Sequence, residues 1–202
     1  MYFYRPAEGH GLRHDPFNAL VAPRPIGWIS SRDAGGVLNL APYSFFNAFN
    51  YTPPIIGFAS VGHKDSVSNI EQTHEFVWNL ATRELAEAMN ATSATVPPRV
   101  EEFALTGLTA APCRVVGVPR VAESPVSMEC RLSQLVRLTG ADGTVTDTWM
   151  VFGEVVGVHI REDLLEDGVY DTAKARPVLR GGGPTAYFEI GPEARFDMVR
   201  PR

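Results

Sequence analysis

The segment Ser60-Val61-Gly62-His63-Lys64-Asp65-Ser66 brings a glycine, a lysine, an acid and two hydroxyls together where an apolar run ends and a helical pattern begins. Free backbone amides at a helix start, with the positive end of the helix dipole, form a natural anion site. Lys64 adds a mobile point charge and Ser66 a hydroxyl, so the segment has the donors to hold one phosphate. A plain helix cap beside a solvated lysine would use the same residues. The order of glycine, lysine and serine does not fit a Walker A loop, and the G-x-G-x-x-G of a dinucleotide fold is absent.

A second group is the run Asn39-Leu40-Ala41-Pro42-Tyr43-Ser44-Phe45-Phe46-Asn47. A flat heteroaromatic ligand needs amide and hydroxyl partners at its polar edge and apolar surfaces along its plane. Ser44 and Asn47, flanking Phe45 and Phe46, could supply both; a core strand filled with aromatics fits the same run. The third group is Asn79 with Asn90, Thr92 and Ser93, whose asparagines read either as element caps or as contacts to a ring edge.

Conventional catalytic sets are weak. His10, His14, His63, His74 and His159 lack metal-ligand spacing, and no G-x-S-x-G elbow occurs. Cys113 and Cys130 read as small buried apolar residues. The acid pairs Glu101-Glu102, Glu162-Asp163 and Glu166-Asp167 lie in polar segments that read as solvated. With no evident acid, base or nucleophile, chemistry on this chain is expected to be carried by a cofactor and not by a metal.

The elements that must position these groups sit in a chain of 202 residues, 45% apolar and 20% charged, long enough for one well-packed domain. A net charge of −5 argues against a nucleic-acid-coating protein. Two cysteines form no disulfide framework, and the N-terminus shows no signal-peptide pattern, so a cytoplasmic location is expected. The uncharged stretch 34–63, Lys-free and interrupted by Asn39, Asn47, Asn50 and Pro53-Pro54, reads as strands and turns and not as a membrane span, with Asp33 just before it. Of 18 basic residues only Lys64 and Lys174 are lysine, which singles out Lys64 as a compact, rotatable charge.

Along the chain, residues 1–24 read as irregular with a helical turn over 16–21, and 1–20 as an N-terminal arm of the domain. Strands are expected at 26–31 and 37–41 around a Gly35-Gly36 turn, continuing through 45–49, then at 55–60 and 76–81. A short helix is expected over 64–73, capped by Asp65 or Ser66, and a second over 83–91, capped by Thr82. Pro97-Pro98 should end that region, with one helical turn within 99–105. Further strands are expected at 113–116, 126–138, 148–160 and 187–190, with Gly153 and Gly157 marking bulges. The whole is mainly β with α covers: a single domain over 1–202, built as a small barrel, with a tail over 175–202.

The motifs Pro23-Arg24-Pro25-Ile26-Gly27-Trp28-Ile29-Ser30-Ser31, Asn39 to Asn47 as above, His63-Lys64-Asp65-Ser66, Asn79-Leu80 and Met89-Asn90-Ala91-Thr92-Ser93 occur in this order. Together with 119–125 and Phe152-Gly153-Glu154-Val155, they resemble the flavin reductase-like, flavoredoxin-type FMN-binding proteins, over roughly residues 20–160. The resemblance implies a Greek-key-like FMN-binding split β-barrel working as a homodimer, with the tail packing on the barrel or on the partner subunit. It implies that Ser44, Phe45, Phe46 and Asn47 lie along the flavin ring. Ser60, His63, Lys64, Asp65 and Ser66 would surround the phosphate, and Asn79, Leu80, Asn90, Ala91 and Ser93 would contact the ring edge or ribityl chain. The expected activity is an NAD(P)H-dependent flavin reductase. The alternatives are a flavoredoxin-like electron carrier with permanently bound FMN, serving a redox partner protein, and a non-catalytic flavin-binding module.

Overall fold

The computed structural model describes residues 1–96 and 100–201. Pro97, Pro98 and Arg99, which enter the expectations for the end of the second helix and the following turn, lie outside the described residues.

The strands are β1 (Arg24–Pro25), β2 (Gly27–Arg32), β3 (Leu38–Tyr43), β4 (Phe46–Asn50), β5 (Ile55–Val61), β6 (Glu75–Asn79), β7 (Ala110–Ala111), β8 (Arg120–Val121), β9 (Val126–Thr139), β10 (Val145–Ile160), β11 (Leu165–Glu166), β12 (Val169–Tyr170), β13 (Val178–Arg180) and β14 (Tyr187–Glu189). The α-helices are α1 (Phe17–Leu20), α2 (Asp65–Thr73), α3 (Ala86–Ala91) and α4 (Glu102–Thr106). Seven strands form one antiparallel sheet in the order β3-β2-β6-β9-β10-β5-β4. The sheet curls, so that its distant members β3 and β5 meet: the Tyr43 and Phe58 rings lie 4.5 Å apart. This is the split β-barrel.

Local chemistry explains much of it. The β2–β3 turn closes because Asp33 accepts the Val37 N–H on its side chain at 2.8 Å while Gly36 takes a positive φ of 94°. Strand β5 is buried on both faces from Ile56 to Ser60, as its unbroken apolar run requires. The β9–β10 ribbon shifts register between Phe152 and Gly153 and again between Val155 and Gly157, at the glycines expected to bulge. A Cβ on Gly153 would collide with the buried Phe76 ring.

One core lies inside the curl, with Phe58, Phe76, Ile29 and Val151 fully buried and α2 covering it through Val67 and Ile70. A second lies around Trp28, Leu40, Met89 and Phe103, where α3 and α4 pack over β2 and β3. Segment 175–202 contributes β13 and β14, which join β1 in a three-stranded sheet. No helix among the described residues is long and apolar enough to cross a membrane.

Four local expectations are corrected. Residues 45–49 do not extend the first hairpin: β4 pairs with β5. The second helix begins at Ala86 and not at Arg83, because the backbone before it is committed elsewhere. Thr82 bridges Pro177, the Arg83 N–H donates to the Arg176 carbonyl at 3.0 Å, and the Val178 N–H donates to the Ala81 carbonyl at 3.0 Å. Neither Asp65 nor Ser66 caps α2; its N-cap is Lys64, in extended conformation and making no capping bond with its side chain. Residues 113–116 form no strand. Their amides turn instead toward the Glu129 side chain: Arg114, Val115 and Val116 donate to it at 2.9, 2.6 and 2.9 Å.

Candidate functional site

A cleft of about 330 Å³ opens where β3, the start of α2 and the segment after α3 converge. Its walls are Asn39, Ala41, Pro42 and Tyr43 from β3, Lys64, Asp65 and Ser66 from the α2 entrance, residues 92–96, and Glu102 from α4. The volume lies within the range of small-molecule sites.

The α2 entrance supplies its electrostatics. Among the described residues no side chain caps the first turn, so the leading amides are left for water or a ligand. The Lys64 side chain is exposed beside them. Ser66 is turned inward, where its hydroxyl accepts from the Asn39 amide at 2.8 Å. Asn39 also reaches Ser31 at 3.4 Å, and Asn69 donates to Ser31 at 3.2 Å, so a buried polar network fixes β2, β3 and α2 together. The Tyr43 phenol lies beside it, and burial raises its pKa.

The opposite wall is held by α3 and α4. The Trp28 indole N–H donates to the Thr92 hydroxyl at 3.0 Å, and that hydroxyl donates to the Met89 carbonyl at 2.7 Å, which anchors the 92–96 segment to the core. The free edge of β3 is covered by two carboxylates. Glu101 accepts the Leu38 N–H at 3.2 Å and Glu102 the Leu40 N–H at 3.0 Å. Glu102 is therefore not the solvated acid its polar neighbours imply; it is buried, and burial raises its carboxyl pKa.

Of the residues singled out from the sequence, Lys64, Asp65, Ser66, Thr92 and Ser93 line this cleft, with Asn39 and Tyr43 from the Asn39–Asn47 run. Others stand apart. The Ser44 carbonyl accepts from Arg24 at 3.0 Å, and the Arg24 guanidinium lies 5.5 Å from the centre of the half-exposed Phe45 ring. Phe46 stacks on Trp78 at 5.7 Å, and Asn47 is exposed, its carbonyl turned back to the Ala48 N–H. The Ser60 hydroxyl donates to the Gly62 carbonyl at 2.8 Å, and His63 pairs with Glu71 at 3.0 Å. Leu80 is half-buried, while Asn90 and Ala91 are exposed on α3. Asn79 is wholly interior. Its amide lies within bonding reach of Trp28 and Ser30, and its carbonyl accepts from Val121 at 2.9 Å and Ser127 at 3.0 Å. Both ends are occupied by protein, so the expected ring-edge contact is corrected to an internal brace between β2, β6, β8 and β9.

Sequence reasoning missed the carboxylate of Glu102 and, within the Asn39–Asn47 run, gave no separate role to Tyr43. It also missed a cluster on the other flank of the sheet, where Cys113, Glu129 and His159 bring their side-chain heteroatoms within 4.8 Å of one another. These residues are far apart in sequence, and no spacing rule connects them. Glu129 is 1% exposed yet accepts four hydrogen bonds, three from backbone amides and one shared with His159 at 2.6 Å. Burial alone would raise its pKa; the bonds from Arg114, His159, Val116 and Val115 outweigh that and hold it at about 2. Burial pushes the Cys113 thiol up to about 11. A neutral thiol and a carboxylate already saturated with donors leave little coordination for a cation.

The curled antiparallel sheet with short helical covers is the split-barrel class. The chain matches the flavin reductase like domain over residues 20–179 and belongs to that family of flavin-related oxidoreductases. An uncharacterized protein of Halalkalibacterium halodurans is 37% identical over 187 residues, covering 90% of this chain and 87% of that one. Among solved structures, nitrilotriacetate monooxygenase component B from Bacillus cereus superposes with a TM-score of 0.87 at 31% identity, covering 98% of each chain. The 2-nitrobenzoate 2-nitroreductase of Pseudomonas fluorescens gives a TM-score of 0.80 at 29% identity, covering 92% of this chain and 88% of that one.

Proposed function

We propose that this chain is a cytoplasmic, homodimeric FMN-binding oxidoreductase that takes hydride from NADH or NADPH and so works as a flavin reductase. The observation that carries the reading is the uncapped first turn of α2, with Lys64 beside it, opening into the cleft. That donor set fits a phosphate monoester: backbone amides, one ammonium and a helix dipole, each matched to a compact dianion. Lys64 and the leading amides of α2 would hold the phosphate. Ser66 and Tyr43 would back that site from beneath, and Ser93 would meet the ribityl chain. The ring would rest beside Ser44, Phe45, Phe46 and Asn47.

The bound flavin would supply a hydride-accepting ring. The protein's own part is positional. Trp28 and Thr92 hold the 92–96 wall in place, and the Asn39–Ser66 bond fixes β3 against α2. Such preorganisation lowers the cost of bringing donor and acceptor together without any acid–base pair. Homodimerisation is supported by the outer edge of β4, which pairs with no further strand among the described residues, and by Phe49 on it and Tyr51 just after it, 53% and 92% exposed.

The test is anaerobic mixing of the FMN-loaded protein with NADH and, separately, with NADPH. Loss of the yellow colour within the mixing experiment is the expected result for at least one donor. A flavin that stays oxidised with both would contradict the reductase and favour a flavoredoxin-like carrier that receives electrons from a redox partner protein.

A further inference from the structure

On the flank of the sheet away from the α2 entrance, the 114–125 segment and the end of β10 enclose a cavity of about 630 Å³ that shares no residue with the cleft. Its walls carry Arg114, Arg120, Arg161 and His159, together with Glu123 and Glu129. Three guanidinium groups gather around one cavity, and the two carboxylates in its wall give their oxygens to other donors and form no ion pair with them. Glu129 spends its oxygens on the Arg114, Val115 and Val116 amides and on His159. Glu123 takes the Thr109 N–H on both oxygens, at 3.0 and 3.1 Å.

The arginines are correspondingly underused. Among the described residues neither Arg114 nor Arg120 forms an ion pair, and the Arg120 Nε is buried with no hydrogen-bond partner. Leaving a buried guanidinium N–H unmatched is costly, and an arriving acceptor would recover that cost. Arg161 gives its Nε to Asp163 at 2.6 Å, which leaves its terminal nitrogens for a ligand. His159, in the cavity wall, is held by Glu129 through Nε2, which leaves Nδ1 without a partner among the described residues. Gly157 makes this arrangement possible, since a Cβ there would lie 3.1 Å from the Glu129 carboxyl carbon.

We infer that this cavity is an oxyanion-binding subsite, which takes a phosphoryl or carboxylate group of a small ligand on Arg114, Arg120 and Arg161 with His159 beside them. Planar guanidinium forks match either oxyanion through paired N–H donors. The subsite stands on its own observations and does not depend on the flavin reading.

Isothermal titration of the full-length protein at low ionic strength, with inorganic pyrophosphate in one arm and malonate in the other, tests it. To keep the α2 entrance from contributing, the titrations are repeated on Lys64→Ala. The expected result is saturable binding of at least one probe that persists in Lys64→Ala and is weakened at least tenfold by Arg120→Gln and by Arg114→Gln. Binding of pyrophosphate alone assigns a phosphoryl ligand, malonate alone a carboxylate, and both the shared chemistry. Arg114 is exposed, so its variant is expected to fold even if Arg120→Gln does not. The His159 ring resonances of the unaltered protein should also shift with the bound probe. No saturable binding, binding that Lys64→Ala abolishes, binding unchanged in the Arg114 variant, or His159 resonances that stay in place would each overturn the assignment.

Discussion

Glu129→Gln is expected to destabilise the fold by roughly 3 kcal/mol and to lower the thermal midpoint by about 6–12 °C. The carboxylate faces donors on both oxygens: the Arg114 amide and His159 on one side, the Val115 and Val116 amides on the other. A glutamine places an NH₂ against one of these sets whichever way it is turned, and the buried donors opposite it lose their acceptor. The pH dependence carries a second signature. The folded-state pKa of about 2 lies below the ordinary 4.5, so the unfolded chain holds the proton more tightly. The carboxylate's contribution is therefore complete above about pH 4.5 and disappears as the pH falls toward 2, a span worth roughly 3 kcal/mol. The stability gap between the parent protein and Glu129→Gln, followed by urea unfolding, should be constant from neutral pH down to about 5 and then close. Equal unfolding midpoints at neutral pH would show that the four hydrogen bonds contribute nothing.

The second large effect concerns the α2 entrance. Lys64→Ala is expected to weaken FMN binding about ten- to hundredfold, the equivalent of one charge-assisted hydrogen bond of about 1.5–3 kcal/mol. Riboflavin, which has the same ring and ribityl chain without the phosphate, should change less than about twofold, because Lys64 has no role at the ring. Fluorescence titration of both ligands on both proteins separates the two contributions. Equal losses for FMN and riboflavin would mean that Lys64 shapes the whole cleft and does not hold a phosphate. Lys64 is exposed and its side chain caps nothing, so the substitution leaves the helix intact.

These two residues also mark how far the sequence could be read. Features decided within a few residues were legible. The Asp33–Gly36 turn, the α2 helix, the bulges at Gly153 and Gly157 and the burial of β5 all follow from local pattern and residue type. The ordered motifs carried the family and the split barrel. Features decided by distant partners were not legible. Val115 and Val116 have strong strand propensity, but their amides are claimed by Glu129 from β9, and that long-range bond overrides the local preference. Ser66 has the type and position of a helix cap, yet Asn39, 27 positions earlier, draws its hydroxyl into the interior. Asn79 lies in a ligand-like motif and is consumed by β2, β8 and β9.

Within the site, Lys64, Asp65, Ser66 and Ser93 were legible because the helix start and the post-α3 segment announce themselves by residue type. Glu102 was not, because an acid in a polar stretch looks solvated until the free edge of β3 is seen to need an acceptor. The arginine-lined cavity was invisible for the same reason. Its walls come from the 114–125 segment and from β10, and its guanidinium groups lack partners in that wall because backbone amides occupy the carboxylate oxygens.

The central claim is that the mouth of α2 grips the phosphate of FMN in the cleft against β3. A crystal structure of the protein grown with FMN tests it directly. The account predicts phosphate density within hydrogen-bonding distance of the first-turn amides of α2 and of Lys64 Nζ, with the isoalloxazine ring beside Ser44 and Asn47. Phosphate density at any other position, with the first turn of α2 left to water, would contradict it.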